Sequence, residues 1–279
     1  MFDQAFPDAS PTSIEQQNQI HTLDNTSLCR ARAIFTIGEE VSRRLQEYNG
    51  LSSVPLHPPL LHEHFEEGES GDYFFMPGRL HGWKRVDLAI RAIKDSDADF
   101  RLLIAGEGEA EEELHELAAG DSRIEFLGRV PDDELVDLYA RSLAVVFTPT
   151  REDYGYITLE AFSSGKPVIT CTDSGEPARI VNSEKSGYVV EPDPDSIRTA
   201  MLNLVNDRDL ASRMGSFGKQ SIEYINWDNV AETLLEAASR EVELTEHDTK
   251  TKVAILDMQP IEPAIGGGRL RLLGLYHAL

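Results

Sequence analysis

From about Tyr73 onward, short runs of consecutive apolar residues rich in aromatic and β-branched types recur along the chain, at 73–76, 101–105, 123–126, 143–147, 167–170 and 187–190. Unbroken runs of this length, rather than alternating ones, suit strands covered on both faces. Between them the period lengthens. Val86, Ala89, Ile90 and Ile93 fall at i, i+3, i+4 and i+7, and Leu135, Leu138 and Tyr139 share that spacing behind Pro131, Asp132 and Asp133, residues suited to a helix start. Six strands alternating with helices predict the α/β class, a Rossmann-like parallel sheet with helices on both faces. After Glu191, Pro192, Asp193 and Pro194 the pattern is helical alone, over 197–206, 210–224 and 227–242, which predicts a terminal helical cap.

Both ends fall outside that domain. An apolar run at 33–37, a helical stretch at 41–48 and a short run at Val54, Pro55 and Leu56 read as the tail of an earlier α/β unit, with Pro58 and Pro59 stiffening the link onward. At the other end a polar linker at 246–250 leads into an apolar run at 253–256, then Gly266, Gly267 and Gly268, then an apolar helical segment at 270–279. Strand, glycine loop and helix in that order open a further Rossmann-like unit. The expected organisation is a remnant unit with its linker over 1–60, a complete domain with its cap over 61–244, and a linker with the start of another unit over 245–279.

The 279 residues, 41% of them hydrophobic, suffice for a sizeable core. With 26 basic against 49 acidic residues the net charge is -23, which repels nucleic acid and anionic membrane surfaces over most of the exterior. No apolar run approaches a bilayer's thickness, and residues 1–13 have neither the basic start nor the apolar core of a secretion signal. A cytoplasmic protein is expected, peripheral at the inner membrane in a longer polypeptide. Cys29 and Cys171 lack metal-ligand spacing and are expected to be reduced core thiols. His57, His62 and His64 lie in a proline-rich linker without a fourth ligand, so they are read as solvated, and no metal is assigned.

Behind the first strand of the main domain come Arg79 and Lys84, a positive patch at the carboxyl edge where open α/β sheets bind ligands. A guanidinium that forks two oxygens and a point-charge ammonium would suit a diphosphate there, whereas the plainer reading is a solvated basic loop. The fourth strand delivers Glu152 into a loop and, eight positions on, Glu160 into a helix beginning near Gly155. A carboxylate one turn inside that helix can accept two ribose hydroxyls. Gly155 lets backbone approach a ligand, and the amides of that helix start offer donors to a phosphate or sugar oxygen. Without a ligand, the two acids would merely complement a helix dipole and solvate the surface. Gly106, Glu107 and Gly108 lack the third glycine of a dinucleotide fingerprint and read as a tight turn beside a nucleotide base. Trp83 and Trp227 stand beside amphipathic helices and are read as packing aromatics.

Gly78-Arg79-Leu80 with Lys84-Arg85, Ile104-Ala105-Gly106-Glu107-Gly108, Phe126-Leu127-Gly128, the Glu152 and Glu160 pair, and Ser164-Gly165-Lys166-Pro167-Val168-Ile169 occur in that order over residues 73–240. Together they resemble the donor domain of family 4 glycosyltransferases of the GT-B fold, the glycosyl transferases group 1, of which this chain would hold the C-terminal half with parts of flanking acceptor-binding domains. The resemblance implies that Arg79 and Lys84 hold the donor diphosphate, Glu160 holds the ribose, and catalytic Glu152 lies near the transferred sugar. Gly106, Glu107, Tyr154, Gly155, Tyr156 and Ile157 would complete the donor site.

It further implies retaining, metal-independent transfer from a nucleoside-diphosphate sugar with no cofactor. The acceptor, whether glycan, lipid-linked or small molecule, is left open, as is a second transferase unit in the same polypeptide. In the segment 173–179, Glu176 and Arg179 depart from the family's usual glycine and glutamate, and Asp153 and Tyr154 replace a common Pro-Phe pair. Two alternatives share these features: a non-catalytic nucleotide-binding module, and a GT-B epimerase or phosphorylase.

Overall fold

A computed structural model describes residues 28–31, 33–61, 65–96 and 98–239, with Glu15, Gln19, Thr22 and Thr26. The segment expected to open a further unit at 253–279 lies outside the described residues, as do His62 and His64. Near the N-terminus, β1 (Phe35–Thr36), α1 (Glu39–Asn49) and β2 (Val54–Pro55) form a small unit whose two strands pair in parallel. Gly50, at φ 67°, ends α1 in the left-handed conformation a glycine adopts without strain.

Each of the six apolar runs becomes a strand of one sheet: β3 (Tyr73–Pro77), β4 (Arg101–Ala105), β5 (Ile124–Gly128), β6 (Ala144–Val146), β7 (Val168–Cys171) and β8 (Gly187–Val190). All pairings are parallel, in the order β5-β4-β3-β6-β7-β8. Because side chains alternate along a strand, each run feeds both faces. Phe74, Met76, Leu102, Ile104, Ala144, Val146, Ile169 and Cys171 point to one side, packed with buried residues of α2 (Val86–Lys94), α3 (Glu111–Ala118), α7 (Pro194–Asn206) and α8 (Arg208–Ser221). Tyr73, Phe75, Leu103, Ala105, Val145, Phe147 and Val168 point to the other, against α4 (Asp132–Arg141) and α5 (Tyr156–Ser163) through Tyr139, Ala161 and Phe162, with Ile180 of the short α6 (Glu176–Ile180) alongside. Burying each large side chain stabilises the fold by about 1.5–3 kcal/mol, so the layers hold one another in register.

The helical cap follows from local chemistry. Asp193 accepts from Ser196 N at 2.9 Å and Asp207 from Leu210 N at 2.7 Å, starting α7 and α8 where orphan amides need an acceptor. Last comes α9 (Trp227–Ser239). Among the described residues, no helix is long and apolar enough to cross a membrane. Cys171 is buried, and burial pushes its thiol up to about 12. Cys29, expected in the core, is exposed instead: it stands in a turn before β1, remote in sequence from either packed face.

Strand order reverses between β3 and β6, and the crevice beyond the carboxyl ends of strands at such a switch point is where open α/β sheets take ligands. The loops behind these two strands carry Arg79, Lys84 and Glu152.

Candidate functional site

Backbone hydrogen bonds knit the loops at the carboxyl rim into one surface. Gly78 N donates to Ala105 O at 2.9 Å, Leu80 N to Glu107 O at 3.0 Å and Gly106 N to Gly128 O at 2.7 Å, joining the loops behind β3, β4 and β5. On the other side of the switch point, Thr150 N donates to Trp83 O at 2.8 Å, Arg151 N to Asp173 O at 3.0 Å and Glu152 N to Ser174 O at 2.9 Å, which joins those behind β3, β6 and β7.

Two glycines at this rim are required by the packing of the chain itself. A Cβ at Gly106, whose φ is 134°, would stand 1.9 Å from Gly78 O, so the close approach there is chain against chain. Gly155, at φ 81°, leaves room for Phe147 and Pro177, whose atoms a Cβ would meet at 2.7 and 2.8 Å.

The charged groups meet across the switch point. Lys84 ends a 3-10 turn (Gly82–Lys84) and ion-pairs with the Glu152 carboxylate, the two side chains being 27% and 25% exposed. The ammonium also lies 5.4 Å from the centre of the Phe147 ring, an attractive placement for a cation. Arg79 does not join them. It is 73% exposed and stands 3.6 Å from Glu109, whose other carboxylate oxygen is 2.8 Å from His81 Nε2. Glu107 meets the network through its backbone carbonyl.

Glu160 sits at the fifth position of α5, and its carboxylate accepts from the hydroxyl of fully buried Tyr139. Burial, and then the negative charge of Glu160, raise that phenol well above its ordinary value. The start of α5 lies against the loop behind β3, since a Cβ at Gly78 would be 3.3 Å from Ile157 Cδ1. Gly155, the N-cap of α5, brings no side chain of its own to the helix start and the first turn holds no acid, so no negative charge within that turn opposes an anion at this end. Trp83, read as packing, is 49% exposed, and its ring meets that of His81 edge-on at 6.1 Å.

Next to this rim, the residues that depart from the family pattern dock the N-terminal unit. Glu176 is 1% exposed, and its carboxylate accepts from Glu39 N at 3.0 Å and Glu40 N at 2.7 Å, capping α1. His57 Nε2 stands 2.8 Å from the same carboxylate, so His57 is a half-buried partner rather than a solvated histidine. Burial works to raise the Glu176 carboxyl, but His57 and the amides of Glu40 and Glu39 outweigh it and hold the group below its ordinary value. Arg179 pairs with Glu40 at 3.2 Å, Arg44 pairs with Asp153, and the buried Tyr154 donates its hydroxyl to Pro58 O at 2.6 Å. Sequence reading missed this role for Glu176. Its only signal there was an acid where the resembled pattern has glycine.

Two cavities flank His57 and Tyr224, one of about 430 Å³ toward α9 and one of about 270 Å³ beside Glu176 and Arg179. Neither is lined by Arg79, Lys84, Glu152 or Glu160. Among the described residues, no cluster of three or more histidine, cysteine or acidic side chains is placed to hold a metal ion.

Residues 60–221 match the model of a family described as glycosyl transferases group 1. An uncharacterized glycosyltransferase of Methanocaldococcus jannaschii is 29% identical over 193 residues, 67% of this chain and 51% of that protein. The D-inositol 3-phosphate glycosyltransferase of Corynebacterium diphtheriae is 28% identical over 213 residues, 72% of this chain and 46% of the relative. The chain thus spans about half the length of these curated relatives. Among solved structures, sucrose-phosphate synthase from Thermosynechococcus elongatus superposes with a TM-score of 0.69 at 17% identity, over 83% of this chain and 63% of that one. Anabaena HepE in complex with UDP and glucose gives 0.68 at 16% identity, over 83% and 69%. At such identities the likeness is one of fold.

Proposed function

Because the chain belongs to the glycosyl transferases group 1 family, we propose that it binds a nucleoside-diphosphate sugar at the rim between β3 and β6 and supplies the donor half of a glycosyltransferase. The observation that carries this reading is the Lys84 and Glu152 pair, set at the switch point beside the start of α5, whose first turn holds no acid. When a sugar is transferred, the bond from its anomeric carbon to the diphosphate breaks, a bond to the acceptor oxygen forms, and the acceptor loses a proton. Negative charge gathers on the departing diphosphate and positive charge on the sugar. Lys84, Arg79 and the α5 amides would stabilise the first, acting most strongly where charge develops. Once the diphosphate engages Lys84, the Glu152 carboxylate becomes available to the sugar, either accepting from its hydroxyls or facing the cationic carbon.

Glu160 is assigned the ribose, with Tyr139 orienting its carboxylate. Membership of family 4, retention of configuration and independence from a metal belong to the same proposal, carried by the motif order rather than by geometry. That HepE holds UDP and glucose supports a donor of this class. The acceptor is a glycan, a lipid-linked glycan or a small molecule, bound with the help of a further domain.

Calorimetry of the chain with UDP, GDP and ADP tests the reading. At least one should bind, and Lys84→Met should weaken it about 10- to 100-fold, the value of about 1.5–3 kcal/mol for a hydrogen bond to a charged group. Failure of all three to bind would remove the assignment of Lys84, Arg79 and Glu160.

A further inference from the structure

Arg85, immediately after Lys84, ends the 3-10 turn and begins α2 with φ at 51°. That is left-handed backbone, costly for any side chain and free for glycine. The retained side chain has a compensating set of contacts. Its guanidinium is 16% exposed: Nε donates to Thr148 O at 2.8 Å, Nη2 to Pro149 O at 2.8 Å, and Nη1 and Nη2 grip the Asp173 carboxylate at 2.8 and 2.6 Å. Thr148 Oγ1 returns a bond to Arg85 O at 3.3 Å. One planar fork therefore ties together the loops behind β3, β6 and β7, which a lysine, with a single charged point, cannot do. Lys84 and Glu152 lie at the two margins of this brace, one residue before Arg85 and three after Pro149.

We propose that Arg85 is a positioning residue of the donor site, fixing the backbones of Lys84 and Glu152 so that the ammonium stays at the diphosphate position when Glu152 turns to the sugar. The ligand concerned is the nucleoside diphosphate, and in that respect the proposal rests on the rim being the donor site. Arg85 acts through Lys84, not on substrate.

The test uses Arg85→Gly, which suits the left-handed backbone while removing the fork, and Arg85→Lys. Lys84 acylation by an amine-reactive ester, followed by peptide mass mapping, needs no nucleotide. Arg85→Gly should raise the Lys84 rate several-fold toward that of Glu152→Gln, Arg85→Lys should fall between, and Lys94 and Lys219 should not change. If Arg85→Gly does not fold, Asp173→Asn, which removes the carboxylate from the fork, gives the same readout. An unchanged Lys84 rate overturns the proposal.

With whichever of UDP, GDP or ADP the unaltered chain binds, Arg85→Gly should weaken affinity roughly tenfold alone, and less than about twofold in a Lys84→Met background, because residues acting through one another are not additive. Equal losses in both backgrounds also overturn it. If none of the three binds, the donor reading fails, while the acylation rates still decide whether Arg85 positions Lys84.

Discussion

Gly106 shows how tightly single atoms are placed at the rim. An alanine there would put its methyl 1.9 Å from Gly78 O in a backbone region, φ 134°, that favours glycine. Gly106→Ala should cost about 3 kcal/mol, read as a fall of about 10 °C in melting temperature; a fall under about 2 °C would mean that the two loops do not touch as described. The carboxylate of Glu152 has a different status, being partly exposed and paired with Lys84. In a full-length transferase Glu152→Gln should leave nucleotide affinity within about threefold and lower turnover at least about 100-fold, since a group acting mainly in the transition state affects kcat most. Loss of affinity with kcat unchanged would make it a ground-state contact. Lys84 and Glu152 were legible from sequence because residues just past buried strands collect at one edge of a parallel sheet. The exposure of Trp83 and the distance between Arg79 and Lys84 were not, because both depend on side-chain direction within a loop.

Among the elements, the strands were the most legible. A central parallel strand must be apolar throughout, so each run maps onto a strand within one or two residues, as at 101–105 and 187–190. The docking of α1 was invisible, because it depends on contacts across 136 and 137 residues of chain and on α6, only five residues long and too short for periodicity. Glu176→Ala should strip the cap from α1, strand buried amides and cost about 2 kcal/mol. Hydrogen exchange over residues 39–49 should then quicken while that of β3 to β7 holds; uniform quickening would make Glu176 a general core residue instead.

Its carboxyl is lowered in the folded state, so the stability it contributes is present above its ordinary value of 4.5 and is lost as pH falls through the folded value. Protection of α1 should therefore decline below about pH 4.5, and Glu176→Gln should flatten that decline. A decline of equal slope in the variant would assign it to other acids.

At the scale of the molecule, a charge of -23 opposes compaction, and salt relieves it. Raising ionic strength from about 0.01 to 0.5 M shortens screening from about 30 Å to a few ångströms, so melting temperature should climb; a flat response would show that ion pairs already balance the acids locally. The rim at the switch point, where Arg79, Lys84 and Arg85 stand paired with acids, is the proposed place for an anion, set apart from the two cavities around His57.

A crystal structure of the chain with the bound nucleoside diphosphate decides between these locations directly. The account predicts the diphosphate between Lys84 and the amide end of α5, with the ribose within hydrogen-bonding distance of Glu160. A nucleotide seated beside His57 and Tyr224, with Lys84 still closed on Glu152 and no ligand at the rim, would contradict it.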